Sequence, residues 1–153
     1  MNAKVNVISL SGGKDSTAMW LYALETKPEG EILPVFADTG HEHRLTYEYL
    51  DYLESKLGPI RYIKADFSEQ IARKREWVQT KWREEGVSED VIQVALEVLH
   101  PTGIPFLDLC LWKGRFPSTK ARFCTQFLKR EPIFKQVYLP MMEEGKHVIS
   151  WQG

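Results

Sequence analysis

A glycine-rich loop near the start of the chain limits the folds that are compatible with this sequence. The residues SLSGGKDST, at positions 9–17, stand between a short apolar run and a helical pattern of apolar residues. A buried strand that opens through glycines into a helix is typical of parallel α/β sheets. The same alternation continues along the chain, which predicts an α/β fold with helices on both faces of a parallel sheet.

The predicted elements alternate in type over most of the chain. Short apolar runs predict strands at residues 5–9, 32–37, 60–64 and 148–151. Apolar residues on a helical period predict helices at residues 15–26, 45–57, 67–84, 88–99 and 123–138. Residues 101–119 carry three prolines and two glycines, so we expect an irregular loop there.

Length and composition favour one ordinary globular domain, covering residues 1–153. The formal net charge of −1 excludes a globally basic nucleic-acid-binding protein, so any electrostatic recognition has to be local. No apolar run approaches the roughly 18 residues of a membrane helix. We therefore expect a cytoplasmic protein. The chain ends on a strand pattern and a glycine, which predicts a cut after Gly153 and favours a homodimer or a partner chain.

The first loop has the composition of a phosphate site. Gly12 and Gly13 let the backbone approach a ligand closely, and Lys14 adds a positive charge. A following helix N-terminus supplies free backbone N–H groups for an anion. Three hydroxyl side chains can donate further hydrogen bonds to phosphate oxygens, namely Ser11, Ser16 and Thr17. The adjacent glycines do not match the spacing of the common P-loop.

Asp15 is the unexpected member of this loop. A carboxylate beside polyphosphate is repulsive unless a cation lies between them, so we infer Mg²⁺, which prefers one or two carboxylates together with phosphate oxygens. The alternative is a glycine turn that caps a helix, with Asp15 or Ser16 as the N-cap residue.

The stretch SGGKDS after a first strand resembles the PP-loop of the adenine nucleotide alpha-hydrolase superfamily. The resemblance implies a three-layer α/β/α fold with a Rossmann-like parallel sheet of about five strands. It implies cleavage of ATP between the α and β phosphates, with the loop holding the departing pyrophosphate. Catalytic roles then fall to Lys14, Asp15 and Ser16, and Ser9 and Leu10 join the nucleotide-binding residues.

A second motif, VFADTGHE, follows the second predicted strand. Asp38-Thr39-Gly40 is similar to the D-T-G segment of phosphoadenosine phosphosulfate (PAPS) reductases, although such a turn also caps helices. The similarity implies that the backbone of Phe36 and Ala37 lines an adenine pocket. It also implies that Asp38 is a second acid near the nucleotide or its metal, with Thr39 and Gly40 beside it.

A third stretch, residues 113–130, is strongly basic. It holds six basic residues and no acid, namely Lys113, Arg115, Lys120, Arg122, Lys129 and Arg130. Such a field suits a phosphate, a sulfate or a nucleic-acid backbone, and we expect Arg115, Arg122 and Lys129 to hold a second anionic group or the acceptor. The alternative is a solvated helix face.

The pattern R-x-C-T-x-x-L-K-x-x-P-I, from Arg122 to Ile133, resembles PAPS-reductase-like proteins, especially phage-encoded members and DNA-phosphorothioation sulfurtransferases. WQG at 151–153 is similar to the start of that family's W-x-G-x-R segment. Reductases of this family use a tail cysteine or about four iron–sulfur cysteine ligands, whereas this chain carries two cysteines. Cys124 is a candidate thiolate because Arg122 and Lys120 would favour the charged form, and a small buried hydrophobe is the alternative.

Three functions remain open from the sequence. The first is an enzyme that binds ATP or an adenylyl sulfate nucleotide (PAPS or a relative) with Mg²⁺ on Asp15 and Asp38, and activates an acceptor or supports sulfur transfer. The second is a nucleotide-binding regulatory module without turnover. The third is a subunit of a nucleic-acid modification complex, whose basic stretch contacts a nucleic-acid or protein acceptor.

Overall fold

A computed structural model describes residues 3–153. Four parallel strands form one sheet, with the order β3-β2-β1-β4. The strands are β1 (Lys4–Leu10), β2 (Glu31–Ala37), β3 (Arg61–Ile63) and β4 (His147–Trp151). The predicted α/β class is confirmed, but the expected count of about five strands was too high for the described residues.

Helices cover both faces of this sheet, because successive residues of a strand point to opposite sides. Ile8 and Phe36 pack on one face against the first two helices, α1 (Lys14–Thr26) and α2 (Arg44–Leu57). Val7 and Val35 pack on the other face against the helical segment that precedes β4. The strand interiors are therefore nearly continuous apolar runs, as expected for a covered parallel sheet.

A helical cluster stands beside the sheet. It comprises α3 (Ser68–Glu84), α4 (Glu89–Val98) and α5 (Pro105–Lys113), which share an apolar core. The helix α5 corrects the prediction of an irregular loop over residues 101–119. Pro105 stands at the helix start, where its missing N–H costs nothing, so a proline that indicated a loop is a helix-initiating residue.

The last helical segment, residues 123–143, is continuous but not uniform. Short α-helical turns at α6 (Phe123–Thr125), α7 (Glu131–Ile133) and α8 (Leu139–Glu143) alternate with π-helical turns at Gln126–Arg130 and Phe134–Tyr138. Each π-helical turn precedes an α-helical turn that contains a proline near its start, Pro132 or Pro140. Proline lacks the N–H that continues an α-helical ladder, and a widened turn accommodates that loss.

The strand order creates a crevice at the end of β1. The chain moves outward from β1 through β2 to β3, then returns to place β4 on the opposite side of β1. In open α/β sheets, ligands bind at the carboxyl ends of the strands where the direction of winding reverses. None of the helices described within residues 3–153 has the length and hydrophobicity to cross a membrane.

Candidate nucleotide site

The loop after β1 is shaped by a close approach between Gly12 and α2. Gly12 has a φ of +78°, and a Cβ placed on it would lie 2.6 Å from Thr46 Cγ2. Both the left-handed backbone and the contact with Thr46 require glycine at this position.

Hydroxyl groups within the loop hold it in shape. Ser16 Oγ accepts a hydrogen bond from the Ser11 N–H (3.1 Å) and lies 3.2 Å from the Gly13 carbonyl, to which it donates. Thr17 Oγ1 donates to the same carbonyl at 2.8 Å. Ser16 and Thr17 are buried, so in this structure their hydroxyls brace the loop instead of facing solvent.

The start of α1 is open to an anion. Gly13 is the N-cap residue and, among the described residues, no side chain caps this end through a hydrogen bond. The first N–H groups of a helix have no partner within the helix, and the macrodipole favours negative charge beside them. Lys14 and Asp15 occupy the first two helical positions and are exposed. Gly153 lies against this end, since a Cβ on it would be 3.8 Å from the Ser16 N–H nitrogen.

A cavity of about 750 Å³ opens beside the loop, at the crevice that the strand order predicts. The ends of β1 and β2, the C-terminal residues and one side of the helical segment 123–143 form its walls. Its lining consists of Ser9, Leu10, Ser11, Ala37, Thr125, Gln126, Lys129, Arg130, Glu131, Ile133, Phe134, Tyr138, Gln152 and Gly153.

The cavity gathers some of the predicted nucleotide-binding residues. Those that line it are Ser9, Leu10, Ser11, Ala37 and Lys129. The rest of the first loop, Gly12 to Ser16, follows Ser11 directly. The remaining predicted residues do not line the cavity; they are Thr17, Phe36, Asp38, Thr39, Gly40, Arg115, Arg122 and Cys124. For these residues a role in binding or catalysis stays a prediction.

Sequence reasoning missed much of the helical wall. Gln126, Ile133, Phe134 and Tyr138 line the cavity and were not among the predicted site residues. Their spacing places them along one side of a helix, and that periodicity was the available signal. The periodicity alone does not say which side meets the sheet.

The basic stretch divides into three pairs. Lys129 and Arg130 line the cavity, and Lys120 and Arg122 lie exposed on the preceding loop. Lys113 and Arg115 contact aromatic rings: Lys113 Nζ lies 4.0 Å from the Trp112 ring centroid, and Arg115 Cζ lies 5.6 Å from that of Phe123. We expected Arg115, Arg122 and Lys129 to hold a second anionic group or the acceptor; of the three, Lys129 lines the cavity, and a shared role for them stays a prediction.

Asp38 organises the loop after β2. Its Oδ1 accepts hydrogen bonds from the Gly40 N–H (2.8 Å) and the Tyr47 hydroxyl (2.7 Å), and its Oδ2 lies 3.7 Å from Lys64 Nζ. Burial, followed by the hydrogen bond to Asp38, raises the pKa of Tyr47 from 10.0 to about 12. Neither Tyr47 nor Lys64 was predicted as a partner of Asp38.

Cys124 packs with hydrophobic residues. It is partly buried against the apolar core shared by α3, α4 and α5, close to Phe123 and Phe127. Burial raises the pKa of the other thiol, Cys110, and the proximity of Cys124 adds to that effect. The packing of Cys124 agrees with its alternative interpretation as a small hydrophobe.

Ser9 provides a polar atom without a partner. Its Oγ is buried and has no hydrogen-bond partner among residues 3–153, yet the residue lines the cavity. An unsatisfied buried hydroxyl is costly in a native protein, and a ligand that reaches the end of β1 would satisfy it.

Two phage proteins are similar to this chain in sequence. The chain is 52% identical over 158 residues to the "Uncharacterized 37.8 kDa protein in gpa 5'region" of Escherichia phage 186, covering 97% of this chain and 47% of that protein. It is 29% identical over 133 residues to the "Uncharacterized nin region protein ORF290" of Escherichia phage lambda, covering 86% of this chain and 42% of that protein. The chain thus spans less than half the length of both relatives. No solved structure matches it.

A family profile described as "Phosphoadenosine phosphosulfate reductase domain" matches residues 5–97. The match runs from β1 into α4 and includes the glycine-rich loop and the Asp-Thr-Gly segment. These are the two motifs that carried the resemblance in the sequence. With more than half of its residues matched, this chain belongs to the phosphoadenosine phosphosulfate reductase domain family.

Proposed function

We propose that residues 1–153 form one nucleotide-binding domain that binds ATP, or an adenylyl sulfate nucleotide, with Mg²⁺ and cleaves it at the α-phosphate. One observation carries this proposal. The first residues of a self-braced glycine loop, Ser9 to Ser11, line a cavity of about 750 Å³ at the reversal point of the sheet, and the loop continues directly into a helix N-terminus that no side chain among the described residues caps. A cavity of this volume lies within the range of small-molecule and cofactor sites.

The cavity walls suit the two ends of a nucleotide. Leu10, Ala37 and Ile133 offer apolar surface for a base, and the orphan Ser9 Oγ offers one hydrogen bond. Lys129 and Arg130 bring two positive charges to the same cavity. Cations within hydrogen-bonding reach of phosphate or sulfate oxygens form strong, charge-assisted contacts.

The loop supports the leaving group. Lys14 and Asp15 begin α1, where the first backbone N–H groups of a helix and its macrodipole favour an anion, and we place the departing pyrophosphate there, close in sequence to the cavity-lining Ser11. The Lys14 ammonium, exposed at the same place, balances the charge that develops on the departing oxygen. In the proposed reaction an acceptor oxygen, or water, forms a bond to the α-phosphorus while the bond to the bridging oxygen breaks. Positioning and charge stabilisation supply the rate enhancement.

Asp15 is the better of the two proposed metal ligands. Its carboxylate is exposed in the first turn of α1, whereas the Asp38 carboxylate is engaged by Gly40, Tyr47 and Lys64. Within residues 3–153 no group of three or more His, Cys, Asp or Glu side chains could hold a metal ion alone. A cation shared between one carboxylate and nucleotide oxygens fits this arrangement, and such a cation neutralises phosphate charge.

A product assay tests the proposal. The protein is incubated with ATP and Mg²⁺, and the nucleotides are resolved, with Asp15→Ala as the site variant and Asp51→Ala, an exposed aspartate on α2, as the matched control. We expect AMP and pyrophosphate from the unaltered protein and from Asp51→Ala, and neither product from Asp15→Ala. Protection of the fold by ATP without AMP would refute cleavage and leave binding in place. Absence of both would overturn the whole proposal.

If the protein is a regulatory module without turnover, a different result is expected when Asp15 is changed. Such a protein does not depend on Mg²⁺ at Asp15, so Asp15→Asn would leave nucleotide affinity nearly intact. In the enzyme, the same change weakens Mg²⁺-dependent affinity. Comparing ATP affinity with and without Mg²⁺ for this variant separates the two functions.

Exposed basic residues outside the cavity favour a second candidate function, a subunit of a nucleic-acid modification complex. Lys120 and Arg122 are exposed on the loop before α6 and do not line the cavity. Contacts with a nucleic-acid backbone would make affinity fall steeply with salt. We would measure binding to single-stranded and duplex DNA and RNA at low salt, with Lys120→Ala and Lys135→Ala as test and control. Absence of binding at low salt would reject this candidate in favour of a protein or small-molecule acceptor.

A further inference from the structure

A carboxylate stands among the cations of the nucleotide cavity. Of the described residues that line this cavity, Glu131 alone is acidic, and it follows Lys129 and Arg130 directly in the chain. Its side chain is 35% exposed. An acid in a cavity that holds polyphosphate repels the ligand unless the acid meets a hydrogen-bond donor or a cation. Glu131 therefore needs a partner that the phosphate groups themselves do not supply.

A π-helical turn holds Glu131 in place. In an α-helix, residues five positions apart point about 140° away from each other. In the π-helical turn Gln126–Arg130, however, the Glu131 N–H donates to the Gln126 carbonyl, so these two residues lie one turn apart. Their side chains meet as well, because Gln126 Nε2 donates to Glu131 Oε1 at 2.9 Å. The widened turn thus brings Gln126 and Glu131 together on the cavity wall.

The contacts of Glu131 within the protein leave part of its acceptor capacity unused. The two oxygens of a carboxylate offer about four acceptor positions. Among the described residues, Gln126 donates to Oε1 and Lys135 Nζ lies 3.5 Å from Oε2. The Gln126 amide is neutral, and Lys135 is 68% exposed, so water screens its charge. Glu131 can therefore accept further hydrogen bonds from a ligand in the cavity.

The order of side chains along the helical wall matches the order of groups in a nucleotide. Lys129 and Arg130 supply positive charge for phosphate oxygens, and Ile133 and Phe134 supply apolar surface for a base. Glu131 lies between these two pairs in the chain. In a nucleotide the ribose lies between the phosphates and the base, and its 2′- and 3′-hydroxyls are donors. Carboxylates hydrogen-bond to ribose hydroxyls in dinucleotide-binding α/β folds.

We propose that Glu131 is a specificity-determining residue that binds the ribose hydroxyls, so that this site takes nucleotides whose 2′- and 3′-hydroxyls are free. The inference rests on the proposed nucleotide site and narrows its ligand. A phosphate on the 3′-oxygen removes one donor and places negative charge beside the carboxylate. The site therefore favours ATP, or adenylyl sulfate without a 3′-phosphate, over phosphoadenosine phosphosulfate.

Three ligands test this inference on the unaltered protein by isothermal titration calorimetry with Mg²⁺. They are ATP, 2′,3′-dideoxy-ATP, which lacks both hydroxyls, and 3′-phospho-ATP. We expect loss of the hydroxyls to raise the dissociation constant about tenfold, as for one hydrogen bond to a charged group. The 3′-phosphate should raise it as well. Equal affinity for ATP and the dideoxy nucleotide would overturn the proposal. Tighter binding of 3′-phospho-ATP than of ATP would also overturn it, and would assign Lys129 and Arg130 to a 3′-phosphate.

The variant Glu131→Gln assigns the effect to this side chain. It keeps the size of the residue and removes its charge, so the preference for ATP over the other two ligands should fall to less than about threefold. Glu143→Gln, at an exposed position of the same helical segment, is the matched control and should keep the preference. Circular dichroism melts check that both variants fold.

The outcomes separate this inference from the function on which it rests. A preference that persists in Glu131→Gln would assign ribose recognition to another residue and overturn the inference, while the nucleotide site stands. Failure of the unaltered protein to bind ATP would refute the nucleotide site itself, and this inference with it.

Discussion

The Tyr47 hydroxyl donates a hydrogen bond of 2.7 Å to Asp38 Oδ1, joining the first turns of α2 to the loop after β2. The same oxygen accepts the Gly40 N–H, so one carboxylate fixes both the turn and the helix that follows it. An aspartate that the family resemblance assigned to the nucleotide or its metal is thus also a structural centre of the second motif.

Tyr47→Phe should destabilise the protein, because it removes one hydrogen bond to a charged group. We expect the free energy of unfolding to fall by about 1.5 kcal/mol near pH 7. Urea denaturation monitored by circular dichroism measures it. Tyr52→Phe, at an exposed position on α2, is the control and should leave stability unchanged. An equal loss in both variants would contradict this role for Tyr47.

The raised pKa of Tyr47 makes stability depend on alkaline pH. The folded protein holds this phenolic proton more tightly than the unfolded chain, whose tyrosines have a pKa near 10. The resulting stabilisation is complete below pH 10 and is lost as pH rises toward the folded pKa of about 12. Ultraviolet titration of the tyrosines should show a late-ionising phenol that is lost in Tyr47→Phe, whereas the phenol of Tyr62, whose pKa burial also raises, is retained. If the unaltered protein and Tyr47→Phe show the same late phase, the late-ionising phenol is not that of Tyr47.

Gly12→Ala should destabilise the loop more than its backbone angle alone predicts. An alanine at a positive φ costs about 1 kcal/mol, and here its Cβ would also meet Thr46 Cγ2 at 2.6 Å. Gly86→Ala is the matched control, since Gly86 has a φ of +80° and nothing within 4 Å of the added Cβ. We expect the free energy of unfolding to fall further in Gly12→Ala than in Gly86→Ala. Equal losses of unfolding free energy in the two variants would mean that Thr46 and α2 shift to accommodate the added methyl group.

Lys129→Ala should weaken nucleotide binding if the cavity is the nucleotide site. Loss of one charge-assisted contact corresponds to about tenfold in the dissociation constant. Arg122→Ala, which removes an exposed cation outside the cavity, should change affinity by less than twofold at physiological salt. Isothermal titration calorimetry with ATP and Mg²⁺ gives both values. A larger change in the dissociation constant for Arg122→Ala than for Lys129→Ala would indicate that the anion site lies on the exposed loop.

Ser9→Ala separates binding from stability. Removing an unsatisfied buried hydroxyl should not lower the free energy of unfolding of the nucleotide-free protein. The nucleotide dissociation constant should rise about fivefold, which corresponds to one hydrogen bond of about 1 kcal/mol. Ser55→Ala, whose hydroxyl donates to the Tyr52 carbonyl on α2, should leave affinity unchanged. A less stable Ser9→Ala protein with normal affinity would show that this hydroxyl serves the fold alone.

Features that depend on local spacing could be predicted from the sequence. Short apolar runs predicted all four strands that the structure describes, because a buried strand needs only a local run of apolar residues. The motifs SGGKDS and DTG indicated the family, because each is a short run of consecutive residues. Pro105 led to the wrong prediction of an irregular loop, because proline indicates a local break in a helix. In the structure Pro105 begins α5, and that helix is stabilised by packing against α3, which the local sequence does not show.

Which side chains line the cavity depends on how distant parts of the chain pack together. Six basic residues look equivalent in the sequence, but the packing of residues 123–143 on the sheet directs Lys129 and Arg130 into the cavity. Aromatic rings hold Lys113 and Arg115 elsewhere. The strand order, which places β4 beside β1, likewise brings Gly153 against the first loop from the far end of the chain. Contacts between residues distant in sequence arise from the burial of apolar faces, and no local pattern records which faces meet.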